Sequence, residues 1–193
     1  MTAPVFDDRP ETARGHALYE MLLAVHAGIR SELAHVERLA ADVVEGLSVE
    51  ELNEELETLK GNSQLWQFQI SCLRYCGFVH MHHRAEDADF FDELEQTNPA
   101  ISPVVARLRA EHRAVSGHLD TVEAATRALT DDGGDASRRA VADALGALEE
   151  HLLAHLDYEE ENVASTARRL RDVPHSIQAT DVVGGRHTKE DDR

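Results

Sequence analysis

The segment His80-Met81-His82-His83-Arg84-Ala85-Glu86-Asp87 places three histidines within four residues and follows them with two carboxylates. His82 and Glu86 stand four residues apart, and His155 and Glu159 repeat that spacing further along. On a helix, a His-x-x-x-Glu pair stacks on one face about 6 Å apart, where both side chains can share a ligand. His83, three residues before Glu86, reaches the same place from the flank. His26 and His112 interrupt two other apolar patterns singly. Any one of these residues alone reads as a hydrogen-bonded core histidine. Five imidazoles and two carboxylates in one dry layer would instead leave buried polar groups unpaired, at a cost of several kcal/mol. A pair of bound dications removes that cost. Imidazole with carboxylate suits iron, and also zinc, manganese or copper. Two carboxylates on opposing helices are placed to bridge two ions.

Other chemistries lack their residues. A His-Glu-x-x-His zinc protease motif is absent. A ferritin-type site needs Glu-x-x-His on two helices. The chain has one such match, Glu32-Leu33-Ala34-His35, beyond the layer of His26. No nucleophile–base motif or glycine-rich phosphate loop stands out.

Four long amphipathic segments must position these groups. The first, about 11–45, has the stripe Tyr19, Leu22, His26, Ile29, Leu33, Val36 and Ala40. Ser48-Val49-Glu50-Glu51 reads as a capping box for a short extra helix through Lys60. The second long segment, about 63–94, has Leu65, Phe68, Cys72, Tyr75, Val79, His82, Glu86 and Phe90. The third, about 102–129, has Val104, Val105, Leu108, His112, Val115, Leu119 and Val122. The fourth, about 137–171, has Val141, Leu145, Leu148, Leu152, His155, Glu159 and Asn162.

The expected fold is therefore all-α. It is an up-down-up-down antiparallel four-helix bundle over residues 11–172, with the short extra helix between helices one and two. Residues 173–193, which include His175 and His187, lack periodicity and read as a flexible tail. In an antiparallel bundle the histidine and carboxylate positions fall in one layer, roughly 15–22 Å from the same end at the helical rise per residue.

Composition narrows the partners. The chain has 193 residues, with 19 Lys and Arg against 37 Asp and Glu, a formal charge of −18. That charge disfavours nucleic acid and anionic membrane surfaces. Cys72 and Cys76, the only two cysteines, read as small core residues in a reduced, cytoplasmic compartment. The acidic N-terminal MTAPVFDDRP has no apolar core of a signal peptide. No run approaches the length of a membrane span.

Taken together, Leu23-Ala24-Val25-His26, the His80–Asp87 segment, Glu111-His112-Arg113 and His155-Leu156-Asp157-Tyr158-Glu159-Glu160-Glu161 make the chain resemble the hemerythrin-like, HHE cation-binding domain proteins of the actinobacterial type. The likeness covers roughly residues 15–170. It implies a four-helix bundle with a non-haem di-iron centre, two iron ions that bind or react with oxygen, nitric oxide or peroxide. Its metal ligands carry over to His26, His82, Glu86, His112, His155 and Glu159, with Glu86 and Glu159 as bridges.

Two departures are visible. The oxygen carriers of the family place two histidines four apart on helix three, whereas Leu108 and Ser116 flank His112 here. They also space the last carboxylate five from its histidine, and here the spacing is four. His83 is expected to supply the missing nitrogen, with His151 as the alternative or as an outer donor. His80 and Asp87 read as flanking polar groups. Tyr19 and Tyr75, each seven residues before an expected ligand, read as core.

The expected function is a di-iron protein with a small diatomic or peroxide ligand, and a peroxide- or nitric-oxide-consuming oxidoreductase is its enzymatic form. The alternatives are a non-enzymatic iron, oxygen or redox sensor or iron-binding module, and a bundle holding zinc structurally. A monomer or weak homodimer is expected.

Overall fold

The structure is a computed structural model and describes residues 10–46, 64–132 and 134–172. The expected short helix at 48–60 and the tail at 173–193 lie outside the described residues. Helix α1 spans Ala13–Gly46. Helix α2 spans Gln64–Ala85, passes through one π turn at Glu86–Phe90 and continues as α3 over Phe91–Thr97. A 3-10 turn at Pro99–Ile101 follows. Helix α4 spans Ser102–Asp132 and α5 spans Asp135–Ala167. No strand occurs among the described residues.

The helix boundaries follow local chemistry. Thr12 precedes α1, and its hydroxyl accepts from the Gly15 amide at 2.8 Å, which satisfies one of the free amides of a helix start. Asn98 ends α3 with extended backbone, and its side chain accepts from the Ala100 amide. Pro99 follows, where its missing amide hydrogen costs nothing.

The helices form a four-membered ring in which α1 packs on α2 and α5, and α4 packs on α2 and α5. Helices α2 and α5 therefore face each other diagonally. The expected apolar stripes are the buried faces, except that Val104 and Asn162 are half-buried. No helix among the described residues is long and apolar enough to cross a membrane.

The apolar interior is divided in two. One cluster joins Ile29, Leu33 and Val36 of α1 to Phe68, Cys72 and Val79 of α2, Leu119 of α4 and Leu148 of α5. The other joins Leu18 and Leu22 to Phe90, Phe91, Leu94, Leu108 and Val163. On each long helix buried histidines or carboxylates fall between these clusters: His26, then His82, His83 and Glu86, then His112, then His155 and Glu159.

The far end is closed by backbone contact between α1 and the end of α5. The Thr12 amide donates to the Arg168 carbonyl at 2.8 Å, and the Thr12 hydroxyl donates to the Leu170 carbonyl at 2.6 Å. A Cβ at Gly15 would overlap the carbonyls of Ala167 and Arg168. Backbone on both sides cannot step aside as a side chain would. Gly15→Ala is expected to lower stability by about 1–3 kcal/mol, seen as a lower midpoint in a circular dichroism melt. An unchanged midpoint would contradict this close approach.

Candidate metal centre

The polar layer is assembled from all four long helices. His26 of α1, His112 of α4, and His155 and Glu159 of α5 each sit where the apolar stripe would place a core residue. Helix α2 contributes two adjacent histidines and Glu86 one turn later. Successive helical residues point about 100° apart, so His82 and His83 face different neighbours. The His82 ring meets that of His26 edge-on, with centroids 5.0 Å apart. The His83 ring stacks on His112 at 4.1 Å and meets His155 at 5.1 Å.

Two groups of nitrogen donors result. His26 Nε2 and His82 Nε2 are 3.1 Å apart. His83, His112 and His155 form the second group, with ligand atoms within 4.8 Å of one another. The two carboxylates lie between the groups. Glu86 Oε1 is 3.3 Å from His82 Nε2, and its Oε2 is 3.5 Å from His112 Nε2. Glu159 Oε2 is 3.7 Å from His26 Nε2 and 3.7 Å from His155 Nε2. Each carboxylate thus touches both groups. Clusters able to hold a cation are His26–His82–Glu86, His83–His112–His155 and Glu86–His112–Glu159. All seven expected residues meet in this layer, and all are buried.

Three of the histidines are held from outside by a carboxylate on a different helix. His26 Nδ1 donates to Glu160 at 2.9 Å, His112 Nδ1 to Asp87 at 3.1 Å and His155 Nδ1 to Glu111 at 3.1 Å. A carboxylate only accepts, so the proton sits on Nδ1 and the Nε2 lone pair faces inward. Each outer carboxylate has an arginine behind it. Arg30 donates to Glu160 at 2.7 Å, and Arg107 to Glu111 at 2.7 Å. Arg109 lies 3.8 Å from the Asp87 carboxylate.

From its spacing Asp87 reads as a flanking polar group, and neither Glu111 nor Glu160 stands in a ligand pattern. A signal was present. Asp87 follows Glu86, Glu111 precedes His112 and Glu160 follows Glu159. Each is a carboxylate adjacent to an inward-facing residue, rotated outward toward the next helix. His151 is not in the layer. It is exposed, donates from Nδ1 to the Ala147 carbonyl of its own helix at 2.8 Å, and packs beside His118. It lies one turn before His155, at the edge of the buried face of α5 that borders α4. His80 approaches Ser116 and Asp120 rather than the layer. Tyr19 donates its hydroxyl to the Glu160 carbonyl at 3.0 Å. Tyr75, Cys72 and Cys76 are buried in the core.

Burial controls the charge of the layer. It lowers the His26 pKa to about 3, helped by the Arg30 charge. It lowers His112 to about 2, helped by His155, and holds His82 and His83 well below the usual range. Burial also raises Glu159 to about 8, with Glu160 adding to the effect. Glu86 is raised well above the usual carboxylate range by burial and then by Glu159. Without a cation the imidazoles are neutral and the carboxylates hold protons near neutral pH. A cation must displace the carboxylate protons but meets no imidazole protons. Affinity for a divalent metal is therefore expected to rise with pH from 6 through 8, with protons released from carboxylates. Calorimetric titration at pH 6.5 in buffers of different ionisation enthalpy measures that release. A pH-independent affinity between pH 6 and 8 would contradict it.

Neither curated proteins nor solved structures gave a match to this chain. The profile of the hemerythrin HHE cation-binding domain matches residues 17–167, a span that holds every residue of the polar layer. The chain belongs to the hemerythrin HHE cation-binding domain family and is a metal-binding four-helix bundle.

Proposed function

We propose that the chain is a non-haem di-iron protein that binds or reacts with dioxygen, hydrogen peroxide or nitric oxide at a carboxylate-bridged site. One observation carries this reading. Both oxygens of Glu86, both oxygens of Glu159, and Nε2 of His83, His112 and His155 are buried without a hydrogen-bond partner. Buried polar atoms are nearly always paired, and here these seven unpaired atoms converge in one layer. Cations are the partners that satisfy them together. His26 and His82 would hold one ion, and His83, His112 and His155 the other. Glu86 and Glu159, each near both nitrogen groups, would bridge. Five imidazoles with two carboxylates form a borderline-to-hard donor set that suits iron.

The iron pair supplies one-electron chemistry and open coordination when bound. The protein supplies the rest. Its two apolar clusters exclude water from above and below. Glu160, Asp87 and Glu111 fix the imidazole orientation and raise ligand basicity, an effect whose loss commonly costs 10–100-fold in metal affinity (an order-of-magnitude range). Phe91 stacks on the His112 ring with centroids 5.2 Å apart and limits its rotation. The alternative, a non-enzymatic iron or redox sensor or an iron-binding module, uses the same ligands. Consumption of peroxide or nitric oxide over many turnovers separates the two readings.

Purified protein that retains iron is expected to contain two ions per chain, with near-ultraviolet absorption that zinc would lack. Glu86→Ala and Glu159→Ala are expected to lose both ions, because a bridging carboxylate supports both. His83→Ala should lose at most one. Full metal content in Glu86→Ala, measured by plasma emission, would refute the bridging assignment.

The metal-free chain is expected to stay helical, because the two apolar clusters hold the bundle, but to melt at lower temperature. A ligand that binds only the folded state at a thousandfold excess over its Kd adds about 4 kcal/mol. Equal melting midpoints with and without iron would mean that the layer does not bind it.

A further inference from the structure

Between α1 and α2 lies a cavity of about 710 Å³. Its lining includes His82 and Glu86, so it borders the polar layer. Dioxygen, nitric oxide and peroxide have two heavy atoms each. A cavity of this size falls in the range of roughly 300–1,000 Å³ that encloses whole organic ligands.

The antiparallel register orders its walls. His26 meets His82, so residues further along α1 face earlier residues of α2. One end of the cavity is apolar, lined by Leu18, Met21, Leu22 and Phe90. The other end is polar, lined by Glu32, His35, Ser71 and Arg74. Along α1, Leu18 and His35 are separated by about 25 Å at the helical rise. Gly28, Phe78 and Met81 lie between the ends. Phe78 is 38% exposed and Met81 39%, two of the three large apolar side chains left open to solvent among the described residues. A Cβ at Gly28 would meet no atom within 4 Å, so the middle of the cavity is open there.

We propose that this cavity binds an elongated apolar organic molecule with a single uncharged, hydrogen-bonding head. The chain of the molecule lies along Gly28, Phe78 and Met81 toward Leu18 and Phe90, and passes beside His82 and Glu86. The head sits at the polar end. Arg74 donates there, Glu32 accepts, Ser71 does either, and His35 donates from Nε2 because its Nδ1 accepts from Arg38 at 3.1 Å. One cation and one anion balance, so a head with no net charge fits, and one that both donates and accepts fits best. The proposal adds an organic ligand to the di-iron reading, and rests on that reading only for what lies beside the chain.

Decan-1-ol is the probe, titrated calorimetrically into full-length iron-loaded protein. Binding of one molecule per chain is expected. Decanoate and decylammonium should bind at least about tenfold more weakly, since each adds a net charge at a balanced head end (about tenfold per 1.4 kcal/mol). Gly28→Leu fills the open middle from a helix position where leucine is a better helix former than glycine. It should keep its iron, melt no lower than the wild type and lose at least about tenfold in decan-1-ol affinity. Gly28→Met, unbranched and freer to adjust, takes its place if the leucine variant does not fold. No binding to the wild type, or equal binding by a folded Gly28 variant, overturns the proposal. Equal or tighter binding of either charged analogue overturns the uncharged head. Iron content is measured on the same samples. If iron is absent but binding and its loss at Gly28 persist, the iron reading fails and the cavity stands. If iron is present and decan-1-ol does not bind, the cavity proposal fails alone.

Discussion

Glu86 and Glu159 approach from diagonally opposed helices into the centre of the bundle, where neither carboxylate has a hydrogen-bond partner and neither is accessible to water. Burying one carboxylate without a partner is costly, and burying two beside each other is more so. Much else in the molecule is arranged around that constraint. The apolar core divides into two clusters because this layer lies between them. Neutral imidazoles surround the carboxylates on every side, their inward lone pairs adding acceptors and no charge. Such a layer is weak as a packing element. It makes sense as a set of ligands whose favourable interaction comes from a cation.

The inner layer is not free to relax, because an outer layer holds it. Glu160, Asp87 and Glu111 each bond to a histidine on another helix, and each is backed by an arginine. The outer carboxylates are half-buried rather than enclosed, so part of their charge stays solvated and the ion pairs are individually modest. Their value is geometric. They fix which imidazole nitrogen carries the proton and which way each ring points. They also tie α1 to α5, α2 to α4 and α4 to α5, so the same contacts that orient the ligands set the helix register.

The π turn at Glu86–Phe90 belongs to the same arrangement. Before it, α2 buries Val79, His82 and His83, the turn itself buries Glu86 and Phe90, and after it the chain buries Phe91 and Leu94. One extra residue in the turn rotates the face that follows. Phe90 and Phe91 thereby both enter the second apolar cluster, and Phe91 reaches the His112 ring. π turns inside α-helices are frequent at functional sites, and this one begins at a bridging candidate.

The sequence by itself determined the helical stripes, because a 3.6-residue period depends only on residues a few positions apart. It also determined that one layer would be polar, since the depth of His26, His82, His112 and His155 follows from helical rise and alternating direction. His83 was legible as a member from its spacing to Glu86. Only the tertiary structure decided how the members divide. That His82 meets His26 while His83 meets His112 and His155 depends on the rotation of α2 about its axis, which packing sets. Sequence spacing left His151 open as an alternative to His83, and the fold leaves it exposed beside His118, at the edge of the buried face of α5 that Leu148, Leu152 and Glu159 centre. The partners of the outer nitrogens lie 25 to 134 residues away in the chain, beyond any local pattern. The π turn was likewise hidden, because the regular stripe Val79, His82, Glu86, Phe90 fits a plain helix, and only the burial of Phe91 beside Phe90 reveals the extra residue. The cavity along α1 and α2 is a property of two helices together, and neither one's sequence contains it.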